Sequence, residues 1–351
     1  MVSMAIMVAS FRTSLDDWLQ RILPADVYVR SGTAGDTAWF TVSEQAMLRD
    51  IAGVVRIEFL RMQSVLLDPE LPRVALLARD LPAADPGHAL PLLGEPVSVS
   101  PDGPPPAWIS EAAADLLRVA PGATLRIPLA NGLHPFVVAG VWRDYARQQG
   151  AIVIERAVYA RLTGDTVAND AAVWLKPGVA VTGFRAGLDA AWPGASRLTL
   201  ATPGEIRSLS LHVFDRTFAV TYALEAAAIV IGLTGLSSAF GALVLARRRE
   251  FGMLRHLGMT RGQIRGMLAV EGLLVSGIGL AVGMLLGFVM SLILIHVVNR
   301  QSFHWGMELH VPWLPLATLA LVLLALAVAT TQASARAAVA DDTVRAVRDD
   351  W

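Results

Sequence analysis

Two glutamates lie near the ends of long apolar runs, and this position limits the chemistry that their carboxylates can carry out. Glu225 and Glu271 each lie near one end of such a run, where a carboxylate must find a partner or water if the run crosses a bilayer. Glu271 is also close in sequence to an arginine-rich segment. A local ion pair is one interpretation of these glutamates, and a direct part in moving protons or substrate is the other.

The sequence lacks the common motifs of nucleotide and hydrolytic chemistry. It has no G-x-x-x-x-G-K-[ST], no H-E-x-x-H and no G-x-S-x-G. It also has no cysteine, which excludes thiolate chemistry, disulfides and cysteine-ligated metals. His304, Glu308 and His310 share one loop, but an isolated loop cluster is more often solvated than metal-bound. We therefore expect no enzymatic activity, no cofactor and no metal, and the net charge of -1 gives no argument for nucleic acid.

The arginine-rich segment at 247–267, RRREFGMLRHLGMTRGQIRGM, contains a single acidic residue, Glu250. An excess of arginine in a short loop places that loop on the cytoplasmic side of a membrane. The arginines concerned are Arg247, Arg248, Arg249, Arg255, Arg261 and Arg265. We call this segment the elbow, because it lies between two apolar runs.

Charge-free apolar runs at 226–246, 272–295 and 311–335 each approach the roughly 20 residues that cross a bilayer as a helix. They predict three spans. The loop 299–310 has Arg300 as its only strong base, so we place it outside and the tail that follows the third run inside. The first span then enters from outside, and residues from about 12 to 218 form an extracytoplasmic domain.

Within the elbow, Phe251, Leu254 and Leu257 recur at helical spacing and predict a short amphipathic helix. Gly258 is a natural helix stop, and Thr260 with Gln263 forms a capping box that starts the next helix. One interpretation is a coupling helix that docks on a cytoplasmic partner. The other is an interfacial helix that lies on anionic lipid.

The second span carries Gly279, Gly283 and Gly287 at four-residue spacing. This double G-x-x-x-G predicts close approach of another helix. The sequence leaves open whether that helix belongs to the same chain or to a second copy.

The outer region alternates short strand and helix patterns, which predicts an α/β (α+β) domain. PDGPPP at 101–106 predicts a stiff linker between two lobes. From 203 a helical pattern continues into the first span, and a helix over 203–249 would be roughly 70 Å long. The first ten residues, MVSMAIMVAS, are typical of the outer end of a transmembrane helix, with an apolar element docked on the outer domain as the alternative. The predicted strands are 26–30, 54–62, 73–78, 124–127, 135–141 and 151–154, and the predicted helices are 43–51, 110–119, 157–162 and 182–191.

The elbow string RRREFGMLRHLGMTRGQI, followed by EGLLVSGIGLAVGMLLG, resembles the signature of FtsX-like permeases, the membrane subunits of the MacB and LolC/LolE class of ABC transporters. ISEAAADLLRVAPGATLRI at 109–127 and VAGVWRDY at 138–145 resemble the periplasmic core domain of that family. MVASFRTSLDDWL near the start and VRAVRDDW at the end are similar to the second half of its longer, two-module members.

The resemblance implies a membrane protein of the bacterial inner membrane, with a two-lobed periplasmic α/β domain followed by a three-helix transmembrane bundle. It implies four parts: a remnant of a first span at 1–11, a periplasmic core domain at 12–203, a stalk helix at 204–218 and a transmembrane domain at 219–351. Within the transmembrane domain, the expected spans are about 219–246, 266–298 and 311–335. A coupling loop is expected at 247–265 and a cytoplasmic tail at 336–351. The carried-over coupling residues are Glu250, Phe251, Leu254, Leu257, Gly258 and Arg261.

The implied function is that of a permease subunit without ATPase activity, which works with a separate cytoplasmic ATP-binding subunit and a second permease copy or module. Its expected surroundings also include membrane lipid and a possible periplasmic partner protein. It would move a lipophilic cargo by mechanotransmission. The alternative is a regulator of the same architecture that transports nothing and switches a periplasmic cell-wall hydrolase or sensor.

Overall fold

The computed structural model describes residues 1–32, 38–82, 89–130, 132–192 and 197–340. By contacts, the chain divides into two units that are treated separately below. The sheet unit comprises Phe11–Val213 and His296–Glu308, and the helical unit comprises Met1–Ser10, Phe214–Ile295 and the described residues from 309 onward.

Within the described residues, the sheet unit is built on one mixed sheet with the strand order β5-β6-β4-β7-β3-β2-β8-β1-β9. Most neighbouring strands are antiparallel, but β3 with β7 and β4 with β6 are parallel. The strands are β1 Val27–Arg30, β2 Val54–Val65, β3 Val74–Arg79, β4 Pro106–Ser110, β5 Thr124–Leu129, β6 Gly132–Trp142, β7 Ala151–Glu155, β8 Asp170–Leu175 and β9 Thr199–Ala201. The helices of the chain are α1 Val2–Ile22, α2 Val42–Arg49, α3 Glu111–Leu117, α4 Arg156–Thr163, α5 Val181–Ala191, α6 Pro203–Ala246, α7 Arg248–His256, α8 Arg261–Ile293, a π-helix Leu294–Val298, α9 Asn299–Phe303 and α10 Trp313–Ala340.

Three hydrophobic clusters are described along this sheet, of which the third lies around Trp108 and Val153 and the other two are the larger cores. One is formed mainly by β3 to β7 with α3 and α4, around Phe136 and Ile152. The other is formed by β1, β2 and β8 with α2 and α5, around Phe59 and Phe184. The long strand β2 joins them, because its first half pairs with β8 and its second half with β3.

The predicted linker at 101–106 does not separate two lobes, and this part of the prediction was wrong. Pro106 already pairs with Val137 as the first residue of β4, in the interior of the sheet. The first core is instead an insertion, since residues 74–163 lie between β2 and β8 in sequence. Proline is tolerated at the first position of a strand, so a proline-rich sequence can end in a sheet.

Within the described residues, three helices are long and apolar enough to cross a membrane: Pro203–Ala246, Arg261–Phe303 and Trp313–Ala333. This agrees with the three predicted spans. The predicted rod is a single helix, α6, of 44 residues, about 66 Å at 1.5 Å per residue. α8 and α10 cross closely at Gly272, where an added Cβ would lie 2.8 Å from Cγ2 of Thr331.

The N-terminal segment is helical, and α1 continues beyond the ten apolar residues to Ile22. Its first residues belong to the helical unit, where Ser10 Oγ donates to the carbonyl of His310 and accepts from its amide, at 3.1 and 3.0 Å. The motif VRAVRDDW at the other end lies outside the described residues.

Candidate coupling site

The elbow contains a short helix that ends at a glycine in a left-handed conformation. α7 covers Arg248–His256 and is followed by Gly258 with φ +96°. The amide of Met259 donates to the carbonyl of Leu254 at 3.1 Å, and the amide of Gly258 donates to that of Arg255 at 3.0 Å. These two bonds form a Schellman motif, so the predicted helix stop at Gly258 is present.

A capping box starts the helix that follows. The Thr260 hydroxyl accepts from the Gln263 amide at 3.2 Å, and Gln263 Oε1 accepts from the Thr260 amide at 2.8 Å. Two amides at the start of α8 are therefore satisfied reciprocally. Only Met259 lies between the glycine stop at 258 and the cap at 260, which fixes the direction of the chain between α7 and α8.

Phe251 is part of the internal packing of the elbow and is only 5% exposed. It packs with Val244 of α6 and with Ile264 and Leu268 of α8, and Leu254 lies against the same cluster. The expected apolar stripe for docking is therefore divided. Phe251 and Leu254 hold α7 against its neighbouring helices, whereas Leu257 is 82% exposed.

A different face of α7 is free for a partner. Glu250, Met253 and Leu257 occur at positions i, i+3 and i+7, which lie on one side of a helix, and all three are exposed. Arg261, at the start of α8, is exposed as well. Met253 was missed from the sequence, although its four-residue spacing from Leu257 could have identified it.

Arg247 connects the elbow to α8 by an ion pair, as expected for Glu271. Its Nη1 donates to both carboxylate oxygens of Glu271, at 3.0 and 3.1 Å, and its Nε donates to Glu250 at 2.9 Å. Its guanidinium carbon also lies 5.5 Å from the centre of the Phe251 ring. These acidic partners, Glu250 first, raise the pKa of Arg247 above its usual value.

The remaining predicted residues lie in the spans. Gly279 and Gly283 meet no described atom within 4 Å of an added Cβ, whereas at Gly287 such a Cβ would lie 2.6 Å from Cβ of Val2. The carboxylate of Glu225 lies 3.8 Å from the amino group of Met1. In the loop 299–310, His304 pairs with Asp115 and Glu308 with Arg143, so each has a partner other than a metal.

Comparison with known proteins gives a match in the part of the chain that contains the elbow. Residues 223–342 match the family model of the FtsX-like permease C-terminal region. An uncharacterized ABC transporter permease protein of Mycobacterium tuberculosis is 26% identical over 339 residues, which cover 88% of this chain. The same match covers 37% of that relative, so this chain spans little more than a third of its length.

Two solved structures match about half of this chain at low similarity. The periplasmic region of MacB from Actinobacillus actinomycetemcomitans is 13% identical with a TM-score of 0.39, over 54% of this chain and 94% of that one. The extracellular domain of the noncanonic ABC-type transporter YknZ from Gram-positive bacteria is 13% identical with a TM-score of 0.35, over 51% and 100%. The resemblance predicted from the elbow is confirmed by the family match, which covers residues 223–342 of this chain.

Proposed function

We propose that this chain is the permease subunit of an ABC transporter and that α7 is its coupling helix. In this proposal the elbow is cytoplasmic and receives the movement of a separate ATP-binding subunit. The sheet unit lies on the other side of the membrane and carries out the mechanical work on a cargo. The family match at 223–342 supports a permease, and the arginine excess of the elbow supports its cytoplasmic side.

The observation that carries the proposal is the exposure of Leu257 beside a rigidly held helix. Leu257 is 82% exposed at the C-terminal cap of α7, within the Schellman motif, and has little to contact in its own chain. It can instead enter a groove on a partner, and Met253 would enter beside it. The anchoring of Phe251 in the cluster below them would pass the force on to α6 and α8.

The way in which force reaches the sheet unit is also part of the proposal. α6 runs without interruption from Pro203 to Ala246, and a continuous helix resists compression and bending better than a jointed chain. We propose that it acts as the stalk. By analogy with the permeases that the sequence resembles, the cargo is lipophilic, such as a lipoprotein, a lipid or an amphiphile, and it is moved by mechanotransmission.

The test is co-purification of the full chain, in lipid nanodiscs, with the ATP-binding subunit encoded nearest to it. We expect the unmodified chain to bind the subunit and stimulate its ATP hydrolysis. Leu257→Asp should lower that stimulation by about tenfold or more, as removal of an interface anchor does, because a charge cannot enter an apolar groove. The thermal unfolding temperature should not change, since the side chain is exposed.

A matched control is Leu133→Asp, which makes the same change at a leucine that is 65% exposed in the sheet unit. It should leave the ATPase rate unchanged. Phe251→Asp is a second comparison, and it should destabilise the elbow because Phe251 is buried. If Leu257→Asp keeps full stimulation, α7 is not the coupling helix. Recovery of a cell-wall hydrolase without an ATP-binding subunit would favour the regulator instead.

A further inference from the structure

The end of the second candidate span and the residues that follow it are packed as part of the sheet unit. Residues 296–308 belong to that unit, although the chain on both sides of them belongs to the helical unit. We call these residues the strap.

Trp305 is the apolar centre of the strap and is 2% exposed. Its ring lies 4.8 Å from the ring of Tyr145 and 5.0 Å from that of Phe11, measured between centroids. Phe303 stacks on it at 5.3 Å, and Trp18 packs against Tyr145 at 5.8 Å. Buried aromatic side chains contribute large apolar areas, so Trp305 is the principal anchor of the strap.

Hydrogen bonds fix the main chain of the strap around this anchor. Tyr145 Oη donates to the carbonyl of Gly306 at 3.2 Å, and the amide of Glu308 donates to Ser14 Oγ at 3.3 Å. Burial raises the pKa of Tyr145, which keeps its hydroxyl protonated as a donor. Within the strap, Asn299 Nδ2 donates to the carbonyl of Trp305 at 2.8 Å.

Charged residues surround the aromatic centre. Arg143 lies between two carboxylates, with Nη1 at 3.5 Å from Glu308 of the strap and Nε at 3.6 Å from Glu111 of α3. His304 contacts Asp115, also of α3. The strap therefore makes contact with α1, with the end of β6 and with α3 at once.

The backbone of the strap is held in an uncommon conformation. His304 has φ +60° and is one of two described non-glycine residues with positive φ. A side chain in the left-handed region persists when the surrounding contacts determine it. Gly306 is also tightly placed, since an added Cβ would lie 3.2 Å from Glu111 Oε1. These constraints favour a single conformation of the strap.

From these contacts we propose that the strap fastens the outer ends of the second and third spans to the sheet unit in every state of the transport cycle. The proposal takes the existence of a transport cycle from the proposed function. The attachment of the strap to the sheet unit does not depend on that function. The sheet unit then acts on the spans at a second place besides α6. Movement of the sheet unit pulls on the chain that connects α8 with α10.

The experiment measures one distance within the sheet unit by paired spin labels. The chain has no native cysteine, so Leu133→Cys and Gln301→Cys, both at exposed positions, can be labelled without background. Leu133 lies at the far end of β6 from Trp142, about 30 Å along the strand at 3.3 Å per residue. In nanodiscs we expect one narrow distance, which stays the same when a bound ATP-binding subunit is trapped with ATP and vanadate.

Trp305→Ala in this background should broaden the distance without any partner present, and it should speed amide exchange of residues 299–307 by at least about tenfold as local opening becomes easier. Trp313→Ala is the matched control, since Trp313 is 70% exposed, and it should behave as the parent. Exchange in β3 and β7 should not change, which shows that the sheet unit is folded. Tyr145→Phe, which removes one hydrogen bond, should broaden the distance less.

Two results would overturn the proposal. A narrow distance in Trp305→Ala would show that this side chain does not fasten the strap. A shifted or second distance in the parent after trapping would show that the strap opens during the cycle. If no ATP-binding subunit associates, the proposed function fails, and the measurements without a partner still decide whether the strap is fastened.

Discussion

Gly258 acts in the elbow through its backbone angle and not through a contact. At φ +96° an added Cβ would meet no described atom within 4 Å, so space is not what requires glycine there. Glycine is required by the left-handed conformation, because that conformation costs an L-residue with a Cβ roughly 1–2 kcal/mol of conformational free energy. The angle between α7 and α8 depends on that one residue.

We expect Gly258→Ala to lower ATPase stimulation and the thermal unfolding temperature, because alanine strains the turn or changes its angle. Gly258→Asn should recover part of both, since asparagine tolerates the left-handed region. Gly262→Ala is the control, as Gly262 lies inside α8 without a positive φ and alanine favours helix there. Equal behaviour of the alanine and asparagine variants at 258 would argue against the conformational explanation.

The ion pair between Arg247 and Glu271 contributes only modestly to the stability of the fold. Both side chains are about one-third exposed, at 33% and 34%, and exposed ion pairs contribute roughly 0–1 kcal/mol. The pair is therefore better understood as positioning the elbow against α8 than as stabilising it. It also gives Glu271 a partner, so its place near the membrane end of a span needs no role in proton movement.

At the scale of elements, four of the glycines of α8 fall into two groups. Gly272 and Gly287 lie against described neighbours, Thr331 and Val2, at distances that leave no room for a Cβ. Gly279 and Gly283 lie between them and face no described atom within 4 Å. The first group packs helices within the chain, and the second group presents a smooth surface on which a second copy could pack.

A comparison of valine substitutions tests this division. Gly272→Val should lower the thermal unfolding temperature in detergent, because its side chain would overlap Thr331 and overpacking costs typically 1–3 kcal/mol. Gly279→Val should leave it unchanged. If Gly279 packs against a second copy, native mass spectrometry should show loss of a dimer in that variant alone. An unfolding temperature lowered equally by both changes would contradict the two groups.

Short sequence signals predicted where helices begin and end. The sequence did not reveal which neighbouring elements each helix and strand would pack against. The box at Thr260 and the stop at Gly258 depend on a few adjacent residues, and both are present. The strands β4, β8 and β9 were not predicted. For two of them the reason is local, since β4 begins at a proline and β9 has three residues. The burial of Phe251 was missed because a stripe at helical spacing does not reveal which neighbour it faces.

For the whole molecule, the main expectation from the sequence is the side of the membrane on which each unit lies. Single cysteines can test it, because the chain has none of its own. Leu133→Cys in the sheet unit should react with a membrane-impermeant maleimide in intact spheroplasts. Leu257→Cys in the elbow should react only after the membrane is permeabilised. Reaction of Leu257→Cys in sealed spheroplasts would reverse the topology and with it the proposed partner.

The insertion of one core into the other has a consequence for the order of biosynthesis. β1 pairs with β8 and β9, and Val27 lies opposite Val173. The second core therefore needs residues from both ends of a stretch of about 145 residues. Contacts between residues so distant in sequence form slowly. β3 to β7 can pair earlier, from a shorter piece of nascent chain. The last strand, β9, ends at Ala201, two residues before α6 begins. The sheet therefore closes only when the ribosome has reached the first span.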